Sequence, residues 1–244
     1  MKRLIQLIET SRYVVVFTGA GVSTFSGVRD FRGKNGLYKD QRVDTNKLFD
    51  LRWFHKDPSI YYTMSRDFIY DLDEKAPSIV HKTLAAMERR GLIRAVVTQN
   101  IDLLHQKAGA KAVIEIHGSP SRHHCLECGR EYTFEETKEK MATAVVPRCE
   151  CKGVLKPDIT FFGEMLPEKA IEQAVAACAR ADLTLVLGST LVVQPAASLP
   201  LYTLRSGGSI VIVNDMETPL DNAAVLRYPD LEAVATALFE AFND

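Results

Sequence analysis

The sequence lacks any long hydrophobic run and any excess of charge of one sign. Its 244 residues include 30 Lys and Arg against 31 Asp and Glu, so the net charge is −1 at pH 7. No overall field therefore favours nucleic acid or an anionic membrane as a partner. The first twelve residues, MKRLIQLIETSR, are amphipathic and lack the apolar core of a signal peptide or membrane span. We expect no nucleic-acid partner, no membrane partner and a cytoplasmic location.

Internal repeats, low-complexity tracts and flexible linkers are also missing. Hydrophobic residues make up 46% of the chain, enough for the core of one large domain, with or without a small insert. No pattern signals an obligate interface, so a monomer is expected. Cysteine is scarce except between residues 125 and 151, which hold four of the five. In a cytoplasmic protein this clustering favours metal binding over disulfides.

The chain is organised around the stretch Tyr13–Arg32. It opens with the apolar, β-branched run Val14–Phe17, which predicts a strand buried on both faces. The strand enters a turn containing Gly19 and Gly21, and a glycine-rich turn after a strand is how α/β folds cradle a pyrophosphate. Thr24 stands where the dinucleotide fingerprint would have its third glycine, so the motif alone is also compatible with a plain tight turn. Polar residues from 23 to 32 favour the nucleotide site.

Four later segments predict further strands that end in polar residues, namely 94–100, 113–118, 183–189 and 209–215. Ligands in open α/β sheets lie beyond the carboxyl ends of the strands. One shared crevice is therefore expected at that edge. A lone histidine is usually structural, but the strand-end position of His117 favours a functional role. The strand-end groups are Thr98, Gln99, Asn100, Ile101 and Asp102; His117 and Gly118; Gly188, Ser189 and Thr190; and Asn214 and Asp215.

Helical patterns occupy residues 46–91, 167–181, 196–206 and 229–242, so the fold class is α/β. The aromatic residues of 46–91 are expected in the core, and His81 is expected to be structural or exposed. The polar, glycine-containing segment 33–46 predicts a mobile loop over the site.

The four clustered cysteines form two short pairs, Cys125-x-x-Cys128 and Cys149-x-Cys151. Two such pairs can supply four thiolates to one tetrahedral zinc, and four protein ligands leave no open position for chemistry. The second pair is one residue tighter than the common spacing, so His123 or His124 stays open as a substitute ligand. A single structural zinc is predicted.

Two stretches could form a substrate groove. The phenylalanines of Phe161–Glu164 could line a pocket for an apolar stem, while the extended stretch Leu191–Ala196 could pair its backbone with a peptide.

Taken together, these motifs resemble the sirtuin family of NAD-dependent protein lysine deacylases. The resemblance covers nearly the whole chain and looks like a short bacterial or archaeal member. Its motifs, in the family's order, are Gly19-Ala20-Gly21-x-Ser23, Gly27 to Arg32, Thr98 to Asp102, His117-Gly118, the four cysteines, Phe162-Gly163-Glu164, Gly188 to Leu191 and Val213-Asn214.

The resemblance implies a Rossmann-like parallel sheet with helices on both faces and an inserted small zinc-binding domain. NAD and an acyl-lysine peptide would meet in the cleft between the two. The implied division assigns 1–34, 76–118 and 156–244 to the NAD-binding domain. A helical insert and cofactor loop at 35–75 and a zinc module at 119–155 would form the small domain.

The implied activity is NAD-dependent protein lysine deacetylation. The acetyl-lysine oxygen would attack the nicotinamide ribose carbon, and a ribose hydroxyl would then attack the resulting imidate. The products would be free lysine, nicotinamide and O-acetyl-ADP-ribose. There are two alternatives: a mono-ADP-ribosyltransferase, and a non-catalytic module that binds NAD or ADP-ribose. The presence of His117, Asn100 and Asp102 disfavours the non-catalytic module, because such a module needs no base at a reacting ribose.

The resemblance also implies residue roles. His117 would be the general base, and Asn100 and Asp102 would hold the nicotinamide carboxamide and nearby water, with Ile101 and Phe31 walling the ring. The remaining cofactor residues would be Gly19, Ala20, Gly21, Thr24, Arg32, Gln99, Gly188, Ser189, Thr190, Asn214 and Leu231. The peptide would lie against Phe162, Gly163, Glu164 and Val193, and zinc would be held by Cys125, Cys128, Cys149 and Cys151.

The chain departs from the family's pattern at Arg29, where many members carry proline, which would fix φ. Members that prefer succinyl or malonyl groups use a Tyr-x-x-Arg pair. Here Tyr61 is followed three residues later by methionine, Tyr62 by serine and Tyr70 by aspartate. An uncharged acyl group is therefore expected.

Overall fold

The computed structural model describes residues 1–31, 33, 36–40 and 44–243. Six parallel strands in the order β3-β2-β1-β7-β8-β9 form the large sheet, and three antiparallel strands in the order β5-β4-β6 form the small one. The strands are β1 Val14–Thr18, β2 Ala95–Thr98, β3 Val113–Glu115, β4 Gly118–Cys125, β5 Glu131–Thr133, β6 Leu155–Ile159, β7 Leu183–Leu187, β8 Ser209–Val213 and β9 Leu226–Tyr228.

The order of the large sheet reverses between β1 and β7, the neighbours at its centre. Such a reversal opens a crevice at the carboxyl ends of the central strands, where α/β folds bind ligands. The helices are α1 Lys2–Thr10, α2 Thr45–Leu48, α3 Leu51–Lys56, α4 Pro58–Ser65, α5 Ile79–Arg89, α6 Leu104–Lys107, α7 Phe134–Thr143, α8 Glu168–Arg180, α9 Leu199–Arg205 and α10 Leu231–Phe242.

Both faces of the large sheet are covered by helices. Alternate residues of β1 enter different cores: Val14 and Val16 pack with α1, α5 and α10, whereas Val15 and Phe17 pack with α8 and α9. This double burial explains why β1 is apolar at consecutive positions instead of alternating. The Rossmann-like α/β architecture expected from the sequence is confirmed.

The chain passes from the large sheet to the small one at Gly118, which has φ of 73°. A Cβ here would lie 2.1 Å from the Asp158 backbone oxygen, so only glycine fits this crossing. An aromatic cluster, in which Phe54 lies edge-to-face with both Tyr61 and Phe161, packs α3 and α4 against the segment that follows β6.

Some elements differ from the sequence prediction. The strand predicted over 113–118 is two strands of different sheets, since β3 ends at Glu115 and β4 begins at Gly118. The helix predicted over 196–206 begins as a 3₁₀ turn, Ala196–Ser198, before α9. Strands β5, β6 and β9 lie outside the segments predicted as strands.

The predicted mobile loop lies partly outside the described residues, and its mobility stays a prediction. Within the described part, Leu37 is buried and Arg29 pairs with Asp40 at 2.8 Å. None of the helices in the described ranges has the length and apolar character that crossing a bilayer requires.

Candidate active site

The glycine turn after β1 packs backbone against backbone with the turn after β7. Gly19 donates its N–H to Leu187 and Gly21 donates to Gly188, both at 3.0 Å. A Cβ on Gly19 would lie 2.7 Å from the Gly188 oxygen, and one on Gly21 would lie 2.8 Å from the Gly188 Cα. Glycine is therefore required at both positions to bring the ends of β1 and β7 together, independently of any contact with a ligand.

A network of polar side chains lies at the carboxyl ends of β1 and β2. Ser23 donates its hydroxyl to Asp102 Oδ2 at 2.6 Å. Asn100 donates its two amide hydrogens to Ser23 Oγ and the Gly19 oxygen, each at 3.1 Å. Asp102 also accepts the backbone N–H of Leu104 at 3.0 Å. Because both amide hydrogens of Asn100 are held this way, its side-chain oxygen is left as the acceptor.

His117 follows β3 and faces the same region. Its Nδ1 lies 2.8 Å from the Gln99 carbonyl oxygen. A carbonyl only accepts, so Nδ1 carries the proton and Nε2 keeps a lone pair. Burial lowers the pKa of His117 from its usual value, partly opposed by the Gln99 hydrogen bond. The imidazole is therefore neutral at pH 7, as a general base must be.

Two buried histidines lie behind this network. His81 accepts the Ser78 N–H at Nδ1, at 3.1 Å, and its Nε2 lies 3.4 Å from Ser23 Oγ. His105 Nε2 lies 3.1 Å from Thr18 Oγ1, and the two imidazole rings are 4.6 Å apart. Burial lowers the pKa of both, to about 4 for His81. His81 is thus structural, one of the two alternatives given by its sequence position, and it contacts the site through Ser23.

Two clefts meet at Asn100, Gln99 and His117. The larger has a volume of about 830 Å³ and a largely apolar wall that includes Phe31, Ile101, Phe162, Gly163, Glu164 and Val193. The smaller has a volume of about 110 Å³ and is lined by residues that include Gly19, Ala20, Gly21, Gly188, Ser189, Thr190 and Asn214.

The clefts bring together most of the predicted site residues, but not all. Thr24 is exposed and bonds the Gly21 oxygen, and the Leu231 side chain is buried in the large core; neither is among the described residues that line a cleft. Arg32 lies outside the described residues. The sequence analysis missed Met216, which lines the smaller cleft with a side chain that has no charged or hydroxyl group to mark it, and it assigned Val192 of the same cleft only to the stretch that could pair with a peptide.

The four predicted cysteines converge at the tip of the small sheet. Their sulfurs all lie within 4.8 Å of one another, with Cys125 3.4 Å from Cys151 and Cys128 3.6 Å from Cys149. A tetrahedron with Zn–S bonds near 2.3 Å would separate its sulfurs by roughly 3.8 Å, so the cluster fits one zinc. A Cβ on Gly153 would lie 2.5 Å from Cys125 Sγ, which explains that glycine.

Neither neighbouring histidine belongs to the cysteine cluster. His123 Nε2 lies 2.8 Å from the Tyr70 hydroxyl, and His124 Nδ1 lies 2.6 Å from Asp158 Oδ1. The shortened Cys-x-Cys pair needs no substitute ligand, and the prediction of a four-cysteine structural site is borne out.

The sequence and fold of this chain are shared with known proteins. The sequence profile of the Sir2 family matches residues 19–195. This chain belongs to the Sir2 family. It is 46% identical, over 93% of its length and 92% of the relative's, to a protein of Thermotoga maritima named NAD-dependent protein deacetylase. The sirtuin resemblance is confirmed.

Solved Sir2 structures share the entire fold. A Sir2 variant with a deacetylated p53 peptide and 3′-O-acetyl ADP-ribose superposes with a TM-score of 0.94, 44% identity and coverage of 100% of this chain and 98% of that one. A Sir2 complex with a p53 peptide and NAD⁺ gives a TM-score of 0.92 at 44% identity, covering 99% and 98%.

Proposed function

We propose that this Sir2 protein is an NAD-dependent protein lysine deacetylase, which forms the free lysine, nicotinamide and O-acetyl-ADP-ribose. The observation that carries the proposal is His117, a neutral imidazole whose Nε2 lone pair is available where two clefts of different character meet. The names and ligands of its relatives agree with this, since they include an NAD-dependent deacetylase and complexes with NAD⁺, peptide and acetyl ADP-ribose.

The smaller cleft is our candidate for the adenosine and phosphate half of NAD. It combines the backbone of two glycine turns with the polar side chains Ser189 and Asn214. Gln99 joins the two clefts, because its amide donates to Ser189 Oγ at 2.9 Å while its backbone oxygen holds His117. Bound NAD would supply a ribose carbon activated for displacement of nicotinamide. Thr24, Arg32 and Leu231 remain proposals from the family resemblance.

The reacting end would be organised by His117, Asn100 and Asp102. His117 Nε2 would take the proton of a ribose hydroxyl, and the Gln99 oxygen would stabilise the imidazolium through Nδ1–H. Asn100 would offer its side-chain oxygen to the carboxamide of nicotinamide, since its hydrogens are already donated. Phe31 and Ile101 would exclude water from the apolar wall.

The substrate peptide would lie between Gly163–Glu164 and Val193, which line the same cleft. Among the described residues of this wall, the cation Arg29 is paired with Asp40 and is thus poorly placed to hold an acidic acyl group. An uncharged acyl group, acetyl foremost, is the proposed substrate. Higher turnover of succinyl-lysine than of acetyl-lysine peptide would contradict this.

Zinc would hold the two cysteine turns of the small sheet and take no part in the chemistry, because four thiolates fill its coordination. We retain the domain division given above, with 35–75 and 119–155 forming the small domain.

The test is mass spectrometry of an acetyl-lysine peptide incubated with and without NAD. Loss of one acetyl group together with O-acetyl-ADP-ribose, only when NAD is present, is the expected result. The control is a parallel reaction with labelled NAD and no peptide. Label on protein in that reaction, without deacetylation, would instead assign mono-ADP-ribosyl transfer. NAD binding without either product would assign a binding module.

A further inference from the structure

Lys156 is a buried lysine at the edge of the candidate peptide groove. It lies on β6, and its side chain is 4% exposed. Its ammonium group has three hydrogens and three oxygen partners: Glu164 Oε2 and the Ile159 oxygen, each at 3.0 Å, and the Pro157 oxygen at 3.2 Å. The same nitrogen lies 4.5 Å from the centre of the Phe161 ring. The cation is therefore fully coordinated.

The carboxylate of Glu164 is held from two directions. Its Oε2 accepts the Lys156 ammonium and also the backbone N–H of Phe161, the latter at 2.7 Å. These bonds close the turn Phe161–Glu164, in which Gly163 has φ of 100°. Glu164 itself lines the larger cleft, and its side chain is 25% exposed. Oε2 is thus held by two bonds, whereas Oε1 of this cleft-lining side chain accepts no hydrogen bond from the part of the chain that the structure describes.

Stability alone does not explain a charged residue here. A buried ion pair costs about as much desolvation as its attraction returns, and apolar side chains of similar volume often replace such a pair without loss. The turn is also stabilised by other contacts: Phe161 packs among aromatic rings, and the backbone of Phe162 forms hydrogen bonds with the backbones of Phe49 and Leu51. What the Lys156 cation adds is the orientation of one carboxylate.

We propose that Lys156 is a positioning residue for the peptide substrate: it holds Glu164 so that Oε1 can accept a hydrogen bond from the bound peptide. The proposal rests on the proposed function, because it assigns the groove to an acyl-lysine peptide. Among the partners of the Lys156 ammonium, Glu164 is the side chain that could reach a bound peptide, and Lys156 does not line the smaller cleft, so it should affect peptide binding without affecting NAD.

The experiment compares Lys156→Met with Lys111→Met, the same change at an exposed lysine. For Lys156→Met we expect the peptide KM and the peptide Kd, measured by fluorescence anisotropy, to rise roughly tenfold, the loss typical of a charge-assisted hydrogen bond. The KM for NAD and the kcat should each stay within about twofold of wild type. The lost interaction binds the peptide equally in the ground state and in the transition state, so its removal raises the peptide KM alone. Lys111→Met should behave as wild type.

Glu164→Gln provides the second arm. It should raise the peptide KM about as much as Lys156→Met, and the double variant should be no worse than either, since both remove one interaction. If Lys156→Met does not fold, the apolar pair Lys156→Met/Glu164→Met removes the buried charge and should fold while still binding peptide weakly. Wild-type peptide affinity in a folded Lys156 variant would overturn the inference.

The two proposals fail in different ways. Wild-type protein that neither deacetylates nor binds the acetyl-lysine peptide overturns the proposed function, and the inference with it. Wild-type activity combined with unchanged peptide KM in Lys156→Met overturns the inference alone. A fall in kcat or in active fraction, with peptide KM unchanged, would assign Lys156 a purely structural role and also overturn it.

Discussion

Acid should destabilise this protein through His81, and the structure sets the size of the effect. His81 is neutral because burial lowers its pKa to about 4, a shift that the nearby Asp102 carboxylate only partly opposes. Protonation at Nδ1 would also break the cap of α5, since that nitrogen accepts the Ser78 N–H. Its other close neighbours are Ser23 and the His105 ring.

The direction of the stability change follows from the pKa of His81 in the unfolded and in the folded chain. The unfolded chain binds a proton at His81 near pH 6.5, whereas the folded chain resists it until about pH 4. Stability is complete above pH 6.5 and is lost as the pH falls toward 4, because the unfolded state then binds the extra proton. Between pH 6.5 and about pH 4, at ~1.36 kcal/mol per pH unit, the loss in the free energy of unfolding is about 3 kcal/mol in full and about 2 kcal/mol by pH 5.

The assay is urea unfolding at pH 8 and pH 5, followed by circular dichroism, of wild type and His81→Asn. Asparagine can place an acceptor where Nδ1 stood but does not titrate. Other acid-sensitive groups, including His123 and the cysteine cluster, act on both proteins and cancel in the difference. His105 is the exception, because the neighbouring His81 contributes to lowering its pKa, so its part of the difference belongs to the same histidine pair. The free energy of unfolding of wild type should fall by about 2 kcal/mol more than that of the variant. Equal losses would refute the reasoning.

Three further outcomes follow from single sites. His117→Ala should lower kcat/KM at least ~100-fold while NAD affinity by calorimetry stays within a few-fold, and unaltered turnover would remove His117 from its role. The kcat/KM of wild type should fall tenfold per pH unit below a midpoint that lies under the usual histidine pKa of 6.5, because burial lowers the pKa of His117. Cys125→Ser should lower the zinc content from one per chain and the Tm, whereas metal-free protein that melts identically with a chelator would contradict the zinc site. Gly118→Ala should cost about 1–3 kcal/mol in urea unfolding because its Cβ meets the Asp158 oxygen, and an unchanged midpoint would contradict that contact.

Local pattern predicted much of this molecule. The consecutive apolar residues of β1 follow from helices on both faces of a sheet, and the polar residues after each strand follow from the shared edge. The cysteine spacing predicted the thiolate cluster because each short pair lies in one tight turn. These signals are readable because each depends on neighbours within a few residues.

The junction between the sheets was not readable in this way. Residues 113–118 look like one strand, and only the pairing partners divide it: β3 pairs with β2, whereas Gly118 pairs with Ile159. A partner forty residues away leaves no periodicity in the segment itself.

The class of fold, the strand-end chemistry and the paired cysteines follow from the sequence alone. Which groups touch is visible only in the folded chain: Ser23 bridges to Asp102, Gly19 packs against Gly188, and Lys156 holds Glu164. The physical reason is that a residue's type reflects its burial and backbone conformation, whereas its partner depends on the order of the strands. That order is set by the packing of the whole chain.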